Sequence, residues 1–125
     1  MLGLGDTLMM PKPGQDSEHL WVLITNPERA EGKTLMVNLT TKRSHSDTTL
    51  VLQFGEHPFI TRPTVVLYAD ARVVEVRNLE AALQQGTVRF HQPVSMELLQ
   101  RVQSGLLASP FTPPKAKDFF QRVTE

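Results

Sequence analysis

The stretch GEHPFITRPTVVLYADAR, residues 55–72, brings His57, Arg62, Tyr68, Asp70 and Arg72 close together. These side chains suit proton transfer and anion binding. Histidine exchanges a proton near neutral pH, which makes His57 a candidate general acid or base. Arginine holds a phosphate through two parallel hydrogen bonds, a role open to Arg62 and Arg72. In a regular strand Tyr68, Asp70 and Arg72 project to one side, and Val65, Leu67 and Ala69 to the other. The first set reads as an outward face and the second as the core face. A solvated face with a local Asp70–Arg72 pair gives the same pattern, because cores exclude polar groups in any case. His57 and Arg62 each precede a proline, which holds them extended in turns or loops. There His57 can equally serve to satisfy loop backbone groups.

A second group lies upstream. Thr40 and Thr41 end an alternating strand and lead into Lys42, Arg43 and His45. This small basic loop is the best candidate for touching a phosphate backbone, against the alternative of an ordinary solvated hairpin loop. His19 opens an apolar strand and can simply cap it; His91 sits in a link and is assigned no role. The four histidines lack the paired or i, i+4 spacings of metal sites, so no metal and no other cofactor is expected. The chain has no cysteine, which removes thiolate nucleophiles, disulfides and zinc–thiolate centres. Neither a glycine-rich phosphate loop nor Gly-x-Ser-x-Gly occurs. Trp21 is the single tryptophan, and core packing is its expected use, as for Phe59.

The elements that must position these residues are short. Strands are expected at Thr7–Met10, at HLWVLITN (19–26, apolar on both faces), at KTLMVNLT (33–40), at TTLVLQF (48–54) and at TVVLYADARVVEV (64–76). The last is long enough to bend, or to be two strands joined at Asp70. A short helix is expected over 78–86, with Asn78 as N-cap and Gly86 as C-cap. A brief strand in TVRFHQP precedes an amphipathic helix over 94–109. Ser95 caps that helix, and Leu99, Val102 and Leu106 form its apolar stripe. Gly105 weakens its last turn by about 1 kcal/mol relative to alanine. The tail, 110–125, either docks a final helix through Phe119 and Phe120 or stays mobile. Strands precede helices, which argues for a small bent antiparallel barrel and against a doubly wound parallel sheet.

Composition sets the bounds. The chain has 125 residues, the size of one domain, with 40% hydrophobic and 21% charged residues, a globular balance. Its formal net charge of zero argues against broad electrostatic capture of nucleic acid, leaving a local patch as the means. No secretory leader or spanning segment is read from it, and the missing cysteine fits a reducing cytoplasm.

GDTLMMPKPGQDSEHLWVLITNP, VNLTTK, TVVLYADARVVEV and the helix within PVSMELLQRVQSGLLAS follow one another over residues 5–109. In order and spacing they resemble the PemK/MazF-like toxins of bacterial toxin–antitoxin pairs. The resemblance implies a mainly β chain with added α: an SH3-like barrel (CcdB/PemK-like) over 1–109 with a C-terminal amphipathic helix and a short extra helix. It further implies a homodimeric, cytoplasmic, metal-independent endoribonuclease that cuts single-stranded RNA and is inhibited by a small antitoxin protein. Carried over, Thr40 and Thr41 fall at the family's hydroxyl pair and Asp70 at its aspartate. Arg72 falls one place from an arginine, and His19 where some members have a functional histidine. Tyr68 stands where a catalytic arginine is expected, and HLWVL replaces a Gly-x-Arg-Pro. The resulting candidates are Asp70, Arg72, His57 and Thr41 for catalysis, with Thr40, Lys42, Arg43, His45, Arg62 and Tyr68 for RNA contact. The alternative keeps the same barrel as a non-catalytic binding module, or as a toxin acting on a protein partner. The catalytic reading requires Tyr68, Asp70 and Arg72 to face one groove bordered by the Thr40–Arg43 loop.

Overall fold

The structure, a computed structural model, describes residues 1–124. In chain order come β1 (Thr7–Pro11), β2 (Glu18–Leu23), a short 3-10 turn (Pro27–Arg29), β3 (Lys33–Thr41), β4 (Val51–Leu52), β5 (Thr64–Glu75), α1 (Val76–Gln85), β6 (Arg89–His91), α2 (Met96–Ala108) and α3 (Pro114–Thr124). The strands form one antiparallel sheet in the order β4-β5-β3-β2-β1-β6. The sheet curls into a half-barrel, the small bent antiparallel architecture expected from the strand pattern.

Both faces of this sheet bury apolar side chains, as the unbroken run at 19–26 requires. The inner face carries Leu20, Val22, Leu35, Val37, Leu39 and Val66, packed against Leu98, Leu99, Val102 and Leu106 of α2. Ala116, Phe119, Phe120 and Val123 of α3 join the same core, so the tail docks through the two phenylalanines; residue 125 lies outside the described residues. The outer face carries Leu8, Trp21, Leu23 and Met36, covered by Val76 and Leu79 of α1 together with Leu2 and Val88.

One irregularity shapes the site. Leu67 lies opposite Asn38 and Arg72 opposite Met36, so β5 takes five steps while β3 takes two. A bulge of this kind breaks the strict alternation of side chains. Val66, Tyr68 and Ala71 face the main core, whereas Leu67 is half-buried and Ala69 exposed. The expected core set Val65, Leu67 and Ala69 is therefore corrected: only Val65 is fully buried.

Local chemistry sets the ends of the elements. Ser95 caps α2 by accepting from the Leu98 N–H at 3.1 Å, with Glu97 in the first turn. Gly86 ends α1 in the left-handed region, at φ 79. The start of α1 departs from expectation: β5 runs straight into it at Val76, Glu75 occupies the N-cap without a side-chain bond, and Asn78 lies inside the helix. The strand expected at 48–54 shrinks to Val51–Leu52, because the Asp47 carboxylate takes both the Thr49 N–H (2.9 Å) and its hydroxyl (2.6 Å) into a local turn.

Candidate functional site

Alternation along β3 turns Met36, Asn38 and Thr40 to the outer face, with Trp21 opposite Asn38 and Arg72 opposite Met36. After the bulge, β5 delivers Asp70 and Arg72 to this same face. The Asp70 carboxylate receives Lys12 Nζ at 2.6 Å and Asn38 Nδ2 at 3.0 Å. Lys12 comes from the loop between β1 and β2. The Arg72 guanidinium lies over the Trp21 ring, 5.5 Å from its centroid. Trp21 is itself fixed by donating its indole N–H to the Met10 carbonyl at 3.1 Å. His19 and Thr40 are the next residues on β2 and β3 beyond the paired Leu20 and Leu39, and alternation keeps both on this face, half-buried. Asn38 Oδ1 and Arg72 Nε, both buried, have no hydrogen-bond partner among the described residues.

Burial alone would raise the Asp70 carboxyl. The hydrogen bonds from Lys12 and Asn38, and then the charges of Lys12 and Arg72, outweigh it and hold Asp70 below the ordinary aspartate range. Asp70 is thus an ionised anchor that holds Lys12 and lies in the field of Arg72, and a poor acceptor of protons at neutral pH. A groove of about 670 Å³ opens beside it, lined by the end of β1 and the following loop (10–15), by Met36 and Arg72 of the sheet, and by Leu79 of α1 and Val88. The arrangement can present Lys12 and Arg72 to an anion, with the Thr40 hydroxyl and His19 imidazole at its border. Among the described residues no three of His, Cys, Asp and Glu are placed to hold a metal ion.

Two expected site residues lie elsewhere. Tyr68, expected beside Asp70 on the outward face, is fully buried on the inner face because the bulge falls between them, so of the three residues expected to face one groove only Asp70 and Arg72 do. Its hydroxyl donates to the Val102 carbonyl at 2.8 Å, and burial, then the Asp47 carboxylate, push its pKa upward. The missing side chain at Gly105 makes room for it: a Cβ there would stand 2.0 Å from the Tyr68 hydroxyl. Gly105 is therefore a packing requirement of α2. His57 is 5% exposed and both its ring nitrogens are engaged. Nδ1 accepts from the Phe59 N–H at 3.1 Å, so Nε2 carries the proton and donates to the Gln92 carbonyl at 2.7 Å. That carbonyl also accepts from the Thr7 hydroxyl at 2.7 Å. His57 thereby ties the loop before β5 to the segment after β6, bridging the two open edges of the half-barrel. The His91 ring lies 5.2 Å away, and burial, then its neighbours His57 and Arg89, push His91 down.

The remaining candidates form a second, neighbouring group. Thr41, Lys42 and Arg62 line an open cleft with Val51, Gln53 and Pro63. It begins three residues along β3 from Asn38, about 10 Å at ordinary strand rise. Arg43 and His45 are exposed on the loop that follows, where the Arg43 N–H donates to the Ser46 hydroxyl at 2.7 Å.

Sequence reasoning passed over Lys12 and Asn38. Asn38 carried a signal: an amide in mid-strand, on the side opposite Leu35, Val37 and Leu39. Lys12 carried little, because its role depends on a contact 58 positions away, at Asp70.

No family model matches the chain, and no curated protein matches it in sequence. Solved structures do match. A chain of an endoribonuclease in complex with its cognate antitoxin, from a mycobacterial species, superposes with a TM-score of 0.57 at 14% identity over 86% of this chain and 93% of that one. Two crystal forms of MazE–MazF from Deinococcus radiodurans give TM-scores of 0.56 and 0.57 at 11% and 10% identity, over 86% of this chain and 92% and 94% of theirs. At such identities the likeness is one of fold, and this chain has the MazF-like fold that its strand order and motifs had implied.

Proposed function

We propose that this chain is the toxin of a toxin–antitoxin pair and cuts single-stranded RNA with its own side chains. The observation that carries the reading is the ionised Asp70 set between Lys12 and Asn38 beside Arg72, on the open face of a fold shared with an endoribonuclease–antitoxin complex. In such cleavage the RNA 2′-oxygen attacks phosphorus and the bond to the 5′-oxygen breaks, leaving a cyclic phosphate and a free 5′-hydroxyl. Arg72 and Lys12 hold the phosphate oxygens, where charge builds in the transition state. His19 accepts the 2′-hydroxyl proton, and the departing oxygen is protonated from solvent. Thr40 orients the phosphate, while Thr41, Lys42, Arg43, His45 and Arg62 extend the track for the flanking strand. Asp70 and Asn38 position the cations. His57 and Tyr68 take no part, being committed to the barrel. A small antitoxin covering this face, a homodimer and a cytoplasmic setting complete the reading.

Incubation of the purified protein with a single-stranded RNA in the presence of EDTA tests it. Fragments ending in 5′-hydroxyls are expected, lost in Arg72→Gln and reduced in His19→Ala. Intact RNA at high protein concentration removes the reading. The withdrawal of His57 and Tyr68 into the core, with zero net charge, favours a second reading, a non-catalytic module for a protein partner. Co-purification of a protein without RNA fragments would select it.

A further inference from the structure

We propose that Lys12 is a phosphate-binding residue held in reserve by Asp70, latching the β1–β2 loop over the open face until an RNA phosphate takes the lysine. This inference rests on the RNA reading above. Pro11 and Pro13 flank Lys12, and the loop is stiffened by a turn from the Gln15 N–H to the Lys12 carbonyl at 3.0 Å. Among the described residues, the Lys12–Asp70 pair is the one polar tie from residues 12–17 to the rest of the chain. The pair is sheltered, with side chains 18% and 28% exposed, so solvent screens it only in part.

A phosphodiester oxygen makes the same demand on an ammonium as a carboxylate oxygen does, so one anion can replace the other at Lys12. Asp70 is not stranded by the exchange: it keeps the Asn38 amide and the charge of Arg72. Arg72, which lines the same groove as Lys12, has a buried Nε whose bonding capacity is unused among the described residues. In the closed form, then, the site neutralises one of its own cations, and splitting that pair lowers its affinity for RNA.

Hydrogen–deuterium exchange over residues 11–17 and salt-dependent binding of an uncleavable 2′-deoxy oligonucleotide test this in full-length Lys12→Gln and Asp70→Asn variants. Exchange in the loop is expected to rise in both by up to about fivefold, the scale of a sheltered ion pair. Asp70→Asn, with Lys12 freed, is expected to bind the oligonucleotide severalfold more tightly than the parent. Lys12→Gln is expected to bind more weakly, with a salt slope shallower by about 0.7, the loss of one single-strand phosphate contact. Lys12→Arg restores both binding and slope. Unchanged exchange in both variants overturns the latch. A parent that binds while Lys12→Gln keeps its affinity and slope overturns the phosphate role alone. A parent that does not bind overturns the RNA reading together with this one.

Discussion

The two faces of the sheet treat their polar groups differently. On the inner side, among the described residues, each buried side-chain polar group has a partner: the Tyr68 hydroxyl meets the Val102 carbonyl, the Thr112 hydroxyl the Leu106 carbonyl, and the Ser109 hydroxyl the Asp47 carboxylate. On the outer side Asn38 Oδ1 and Arg72 Nε are buried without one among the described residues, close in sequence or pairing to a carboxylate that holds Lys12 in the field of Arg72. Groups satisfied by folding hold the fold, while groups with spare capacity remain available to something else. Tyr68 and Asp70, two residues apart on β5, fall on opposite sides of this division.

Gly105→Ala probes the satisfied side most severely. Alanine gains about 1 kcal/mol of helix propensity. The new methyl nevertheless collides with Tyr68, and overpacking of about 3 kcal/mol outweighs that gain. Urea unfolding is expected to show a net loss of about 2 kcal/mol; no loss would mean that Tyr68 is free to leave the core and would blur the contrast. His57→Ala comes next. It leaves the Phe59 N–H and Gln92 carbonyl without their ring partner, at about 2 kcal/mol, and the proposed RNA cleavage is expected to persist in the folded fraction. A stable but inactive His57 variant would transfer that residue to the functional side. Tyr68→Phe is expected to cost about 1 kcal/mol, with cleavage unchanged.

Asp70 sharpens the comparison through pH. Its carboxyl is held low in the folded chain, so its contribution is present above the unfolded aspartate value of about 3.9 and is lost as pH falls through the folded value. Acid unfolding curves are expected to show the parent losing stability relative to Asp70→Asn below about pH 4, by about 1 kcal/mol. Parallel curves would mean that the Lys12–Asp70 contact carries no stabilisation. The smallest effect belongs to Lys42→Ala and Arg43→Ala: stability within about 0.5 kcal/mol of the parent and a modest loss of RNA affinity at low salt.

Much of the fold was legible because it follows from periodicity and caps. The strand–loop rhythm, Ser95, Gly86 and the stripe on α2 are local signals that need no knowledge of the partner surface. Strict alternation failed at one place, the bulge in β5, which arises from pairing with β3 and leaves no mark on LYADAR itself. That single irregularity moved Tyr68 inward while Asp70 and Arg72 stayed on the other side. Asp70, Arg72 and Thr40 could be picked out by type and spacing. Lys12, by contrast, depends on how one loop folds across the sheet, and the bonding of His57 on a carbonyl 35 positions away.

The rims of the half-barrel are unusually blunt. β4 has two residues and β6 three, and the loop bearing His57 spans the gap between them. A rim this short gives an incoming chain almost no hydrogen-bonding template. Copies of this protein that meet in concentrated solution find little template at β4 or β6; the longest run without a strand on the β4 side is residues 66–75 of β5, where an added strand would have to dock.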